Sequence, residues 1–417
     1  MENITKKQHW IPKFIIKKWT NNKNEYKFYD THIKRYGLAN LKYSNNDIFY
    51  RDFLYENEKL FKINAIEKRL SKIESEFASI IKQKIIDKSH EVIINRSELK
   101  IIKLYWLIES YRTWVTTQRA YNLQGDCWFN NFYKDKSKEE IDQEFLETLH
   151  YLAFDVFDYM KSNVGFFPMK LQKERQEQMQ EILKLEEFQG KSVIERQLLI
   201  SQNPLKFSKL ASYKMLNTSI SVYEKSCLKI IKISDDIDYN FLLTDTRNVQ
   251  FFGIFSQFLG LTILEVMPIT PKYIIALLKL DDENNRQPSM HAKNSFWDKK
   301  FPGLFIVNHK SKLYKQQDLL FEFKKIINEN PIIKENKKDI YLLEKKLTLK
   351  YYSNEDLYYY PIYELKTKEQ VHLINAMLHS QTYKYVAYSK GKDLLKAIET
   401  IKLYNIYRVE EGWKNRK

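Results

Sequence analysis

The chain has 417 residues, 43% of them apolar and 15% aromatic, and 69 Lys and Arg against 53 Asp and Glu give a net charge of +16. That composition supports a large folded core and excludes a disordered or collagen-like chain; the lack of an apolar run of about 18 residues excludes a helical membrane span. The positive charge favours polyanionic partners, although a solvated lysine surface would produce the same excess.

Gln8-His9-Trp10-Ile11-Pro12-Lys13-Phe14-Ile15-Ile16-Lys17-Lys18-Trp19 is read as a plug. Pro12 suits the first turn of a short helix, where a missing N–H is harmless, and Phe14, Ile15 and Trp19 then bury, holding His9 at the edge of the core. Residues 25–29 alternate as a short strand that ends at the turn Asp30-Thr31-His32, and Asn45-Asn46-Asp47 leads into Ile48-Phe49-Tyr50. From about 58 to 87 the period is helical, and Glu67 and Glu74 interrupt its apolar stripe.

A second helix, capped by Asn95 or Ser97, runs to about 121 and carries Arg112 and Arg119. Seven residues span about 10.5 Å of rise, so an antiparallel pair sets Glu74 opposite Arg112 and Glu67 opposite Arg119. These residues form either a structural ladder or a site with one charge left for a ligand phosphate or metal. After an aromatic linker, residues 139–161 read as a central helix containing His150. A charged helix over 171–188 and another over 204–216 follow.

At Ser219 the period changes to strands, over 222–233, 241–245, 262–267 and 273–280, the last two joined by Pro268-Ile269-Thr270-Pro271. The acidic Asp235, Asp236 and Asp238 read as a turn. Residues 286–368 interleave basic and aromatic residues, including Tyr351, Tyr352, Tyr358, Tyr359 and Tyr360; they are either a single-strand binding surface or an insertion packed on the sheet. A helix over 368–380, a strand over 385–388 and a helix over 392–403 close the chain. Two distant cysteines, Cys127 and Cys227, and an N-terminus without a signal-like apolar run point to the cytoplasm.

In order, Gln8-His9-Trp10-Ile11-Pro12-Lys13-Phe14, Ile48-Phe49-Tyr50, Glu67, Ile73-Glu74, Tyr111-Arg112-Thr113 and Arg119 resemble the bacterial domain-of-unknown-function family 4238. Leu243-Thr244-Asp245, Met267-Pro268-Ile269-Thr270-Pro271, Ile374-Asn375 and Val386-Ala387-Tyr388-Ser389 resemble that family's later motifs. The resemblance implies fold and domain identity, with no catalytic assignment. Where the family often places a small or amide residue and Pro after the strand-end Asp, this chain has Thr246-Arg247-Asn248, which adds Arg247 as an anion contact.

The expected architecture is α+β: a mainly helical half over 1–218 with its N-terminal plug, packed on a mixed or antiparallel sheet in a half over 219–417. Two functions follow. In the first, a metal-dependent phosphodiesterase or nuclease-like hydrolase, His9 is general acid or base, Glu74 and Asp245 hold a divalent cation or orient water, and Gln8, Arg112, Arg119 and Arg247 bind substrate. Glu67 is structural or a further metal candidate. In the second, a non-catalytic module binds nucleic acid or protein, as part of a defence or toxin-like system, and the same polar residues fasten the plug.

Overall fold

The computed structural model describes residues 7–42, 47–55, 62–88, 90–112, 137–162, 186, 189–191, 195, 226–247, 249–250, 263–279, 299–304, 354–355, 357–404 and 406. Arg119, Cys127, the aromatic linker after Gly125, the helix expected over 204–216, nearly all of the one over 171–188, and most of 286–356 lie outside them.

The N-terminal segment forms β1 (Lys7–His9) and α1 (Lys13–Ile16), which tightens into a 3-10 turn over Lys17–Trp19. Pro12 precedes the helix, its carbonyl accepting from Ile15 and Ile16, and Ile15, Ile16 and Trp19 are buried. A hairpin follows, β2 (Glu25–Asp30) and β3 (Arg35–Asn40), whose turn is held by the Asp30 carboxylate accepting from the His32 and Ile33 amides at 2.9 and 3.2 Å. The short β4 (Tyr50–Asp52) pairs with β1, setting His9 against Tyr50.

Two long helices come next. α2 (Ala65–Ile80) buries Ile66, Leu70, Ile73 and Phe77 and passes into a π turn over Ile81–Ile85. After β5 (Glu91–Asn95), a reciprocal capping box between Asn95 and Glu98 starts α3 (Arg96–Arg112). α3 is buried nearly all round from Leu99 to Glu109. Ser137 and Glu140 form another capping box at the start of α4 (Lys138–Tyr151), which continues through a π turn over Leu152–Val156 into α5 (Phe157–Ser162). His150 is partly buried and stacks on Phe154.

The remaining strands are β6 (Cys227–Ile233), β7 (Leu243–Thr244), β8 (Val249–Gln250), β9 (Ile263–Pro268), β10 (Tyr273–Lys279), β11 (Leu357–Leu365) and β12 (Tyr385–Tyr388). α6 (Lys368–Ser380) and α7 (Gly391–Leu403) flank β12. Besides the two-stranded β1–β4 sheet, a six-stranded sheet has the order β5-β11-β6-β10-β9-β8 and a four-stranded one β3-β2-β12-β7. All pairs are antiparallel except β11 with β6. β10 is a nearly continuous apolar run, and β6 is apolar apart from Lys229 and Lys232, as central strands covered on both faces should be.

This arrangement corrects the expected architecture. Helices and sheets are not segregated into halves: β1–β5 all precede residue 96, while α6 and α7 stand on either side of β12 near the end of the chain. The chain is α+β with its elements interleaved. Strands from either side of residue 218 share a sheet, β5 with β11 and β2 with β12. The four strands expected to form one sheet divide, because β7 pairs with β12. The basic aromatic stretch ends inside the core: β11 lies between β5 and β6, and Tyr358 and Tyr360 are buried there.

Edge strand β3 carries one sterically exacting residue. Gly37 lies opposite Phe28, and a Cβ at Gly37 would stand 2.3 Å from the tip of the Phe28 ring, which itself meets Tyr385 edge-on. The ring therefore covers the glycine. Gly37→Ala should cost about 1–3 kcal/mol in urea unfolding, as overpacking does, and much less in a Phe28→Ala background.

Candidate functional site

Of the polar residues singled out in the sequence, Gln8, His9, Glu74 and Arg112 converge on the junction of the N-terminal segment with α2 and α3, whereas Asp245 and Arg247 lie elsewhere in the core. β1 turns Gln8 inward, where its side-chain oxygen accepts from the Tyr55 amide at 2.5 Å. His9 is 7% exposed, and its Nε2 meets the Asp47 carboxylate at 2.7 Å. The other Asp47 oxygen accepts from the Tyr26 hydroxyl at 2.7 Å and from the Phe49 amide at 3.2 Å. Burial is the main influence on His9, outweighing Asp47 and holding the imidazole below its usual value near 6.5, with Lys13 and Arg112 acting in the same direction. For Asp47, burial pushes the other way, yet His9, Tyr26 and the Phe49 amide together hold its carboxyl below the usual range.

Behind His9 stands Arg112, at the last position of α3 and almost fully buried. Its Nε donates to the Tyr55 hydroxyl at 2.8 Å and its Nη2 to the His9 carbonyl at 2.8 Å. Its Nη1 pairs with Glu74 and stands 3.6 Å from Glu109. The expected Glu74–Arg112 pair across the antiparallel helices is therefore present. Glu67 is near enough for its charge to act on Tyr55 and Arg112, whereas its expected partner Arg119 lies outside the described residues. Burial raises the Glu74 carboxyl despite Arg112, while burial opposes and the surrounding acids outweigh it in keeping Arg112 protonated.

Glu109 extends the network to Arg247, whose Nε donates to it at 3.0 Å and whose Nη1 donates to the Pro268 carbonyl at 3.1 Å. Arg247 is 1% exposed, so the residue expected to add an anion contact is instead an internal brace between α3 and the β9–β10 turn. Asp245 is also internal. Its two oxygens accept from the backbone amides of Tyr383, Lys384 and Tyr385 at 2.9, 2.7 and 2.8 Å, which fixes the entry to β12. Together these bonds leave Asp245 a poor metal ligand, and Glu74 is committed to Arg112. Among the described residues no group of three or more His, Cys, Asp or Glu could hold a metal ion.

Asp47, Tyr55 and Glu109 were not singled out in the sequence. Asp47 entered only as the end of the polar run leading into Ile48-Phe49-Tyr50, and Tyr55 carries no periodic signal. Glu109 had one: a lone acid beside the apolar run of α3, three residues before Arg112, on the same helix side.

Removing Arg112 leaves Glu74 and Glu109 buried without their cation, so Arg112→Met should lower unfolding stability by about 3–5 kcal/mol. Arg112→Lys should recover only part of this, since an ammonium cannot span Glu74, Tyr55 and the His9 carbonyl together. The His9 sign is equally definite. With a folded pKa below that of the unfolded chain, the unfolded state takes the proton first, so the His9 contribution is intact above about pH 6.5 and lost as pH falls through and below it. Urea midpoints followed from about pH 7.5 to 5 should therefore fall less steeply for His9→Gln than for the parent.

A family model described as Protein of unknown function (DUF4238) matches residues 7–392. No curated protein and no solved structure matches the chain.

Proposed function

The chain belongs to the DUF4238 family, and on that premise we propose that it is a non-catalytic module that binds nucleic acid. The observation that carries this reading is the inward commitment of the polar set: Asp245 on three backbone amides, Arg247 on Glu109, and Glu74 on Arg112. Groups tied in this way fasten the N-terminal segment and β12 to the helices. Binding then falls to the protein's surface, whose charge comes from a chain carrying +16. A positive protein meeting a phosphate backbone gains affinity chiefly by releasing counterions.

One observation favours a second, hydrolytic reading. A histidine hydrogen-bonded to a carboxylate is the usual arrangement of an oriented general base, and His9 with Asp47 has that form. The experiment that separates the two combines binding and cleavage of end-labelled single- and double-stranded RNA and DNA, with magnesium, manganese or chelator. The binding reading expects affinity that falls steeply between about 50 and 200 mM salt, with no cutting under any condition. Salt-insensitive or absent binding would overturn it. Cutting by the parent, lost in folded His9→Gln, would establish the hydrolytic reading instead.

A further inference from the structure

Beside the N-terminal segment lies an open cavity of about 280 Å³, lined by Lys13, Phe14, Lys17, Asn24, Leu41 and Lys42. The local chain geometry explains how these residues meet. Lys13 and Lys17 are four residues apart across α1 and the turn that extends it, so they share a side. Asn24 and Leu41 close the open end of the β2–β3 hairpin, the Leu41 amide donating to the Asn24 carbonyl at 3.0 Å, and Lys42 follows directly. Phe14 is held in place from the inner side by Phe77 and Tyr105, with ring centroids 6.1 and 6.3 Å away.

The chemistry of the lining is uneven in an informative way. Among the described residues the lining consists of three lysines, one asparagine and two apolar residues, with no carboxylate. None of the three lysines makes an ion pair with a described residue. This differs from the lysines elsewhere on the surface that carry an acidic partner, such as Lys390 and Lys392 with Asp238 or Lys161 with Glu76. Three lysines around one cavity without an acidic partner among the described residues favour an anion there. A bare inorganic anion would make no use of Phe14 and Leu41, whereas a ligand with a flat apolar part beside its negative charge would use both. The volume is near the lower end of small-ligand sites, about 300 Å³, which suits one such unit.

We propose that this groove holds one nucleotide unit of a single-stranded nucleic acid, with the base against Phe14 and Leu41 and the flanking phosphates among Lys13, Lys17 and Lys42. The assignment rests on the nucleic-acid reading above and gives it a location. Stacking on a ring with lysines along the backbone is the general means of holding single strands without sequence preference. It also separates this surface from the aromatic β11, whose Tyr358 and Tyr360 are buried in the sheet.

The test uses the full chain and a fluorescent oligothymidylate followed by anisotropy. K13Q/K17Q/K42Q should lower affinity at least tenfold and flatten the dependence of log K on log salt by about 1.4, at roughly 0.7 for each of the two flanking phosphates in a single strand. A control with equal loss of charge elsewhere, K82Q/K366Q/K402Q, should change affinity less than threefold. Phe14→Leu retains the apolar contact with Phe77 and should weaken binding about fivefold or more with the salt slope unchanged. Equal effects of the two triple variants would overturn the groove while leaving nucleic-acid binding in place. A parent that binds no oligonucleotide would overturn the reading on which the groove rests. Calorimetry with AMP then decides the groove by itself: uptake abolished by the Lys13, Lys17 and Lys42 changes would make it a free-nucleotide site, and no uptake would overturn it as well.

Discussion

The guanidinium of Arg112 is the point on which the N-terminal part of the molecule depends. One planar cation simultaneously binds a carboxylate on α2, stands beside another on its own helix, and donates to the Tyr55 hydroxyl and the His9 carbonyl. Only arginine offers enough donors in a fixed fork to do this inside a core. Desolvating it is unfavourable, and the surrounding acids supply the compensation. The result is an orienting device: the strand carrying His9 is held by directed bonds, where apolar packing alone would tolerate sliding.

The short motifs distributed along the chain turn out to be partners of one another. Gln8-His9 pairs with the strand after Phe49, and the Trp10 amide donates to the Phe49 carbonyl. Leu243-Thr244 is in register with Val386-Ala387, and Asp245 fixes the turn before them. Asn375 accepts from the Leu242 amide and donates to the Asn240 carbonyl, so a motif on α6 holds the approach to β7. Trp19 reaches the same approach through the Phe241 carbonyl. Residues conspicuous in sequence as separate polar signals therefore serve largely to join distant segments.

Legibility from sequence followed the range of the interaction. The periods of α2 and α3, the Asn95 cap and the Glu74–Arg112 match are written within about fifty residues and could be read from spacing. The β9–β10 hairpin was legible for the same reason, through its Pro-rich turn. Interleaving was not. β1 and β4 are three residues each, too short for a periodic signal, and nothing local tells β11 to lie between β5 and β6. Buried lysines also misdirect composition-based reading. Lys100 is internal, donating to the Met160 carbonyl at 2.7 Å and to Asn354 at 2.9 Å, and burial lowers its pKa to about 8. Some of the positive charge counted in the sequence is thus not surface charge.

The placement of β11 also governs the order in which the molecule can be made. β5 ends at Asn95, yet its partner strand ends at Leu365, and β2 likewise waits for β12. Contacts this far apart in sequence form slowly, because a long loop must close before they contribute anything. On the ribosome, β2 and β5 emerge with a pairing edge open and remain so through the synthesis of most of the polypeptide. During that interval α2 and α3, whose contacts are local, can assemble around Glu74 and Arg112. Nascent-chain protection by chaperones then matters most for β2 and β5, the early strands whose pairing is completed last.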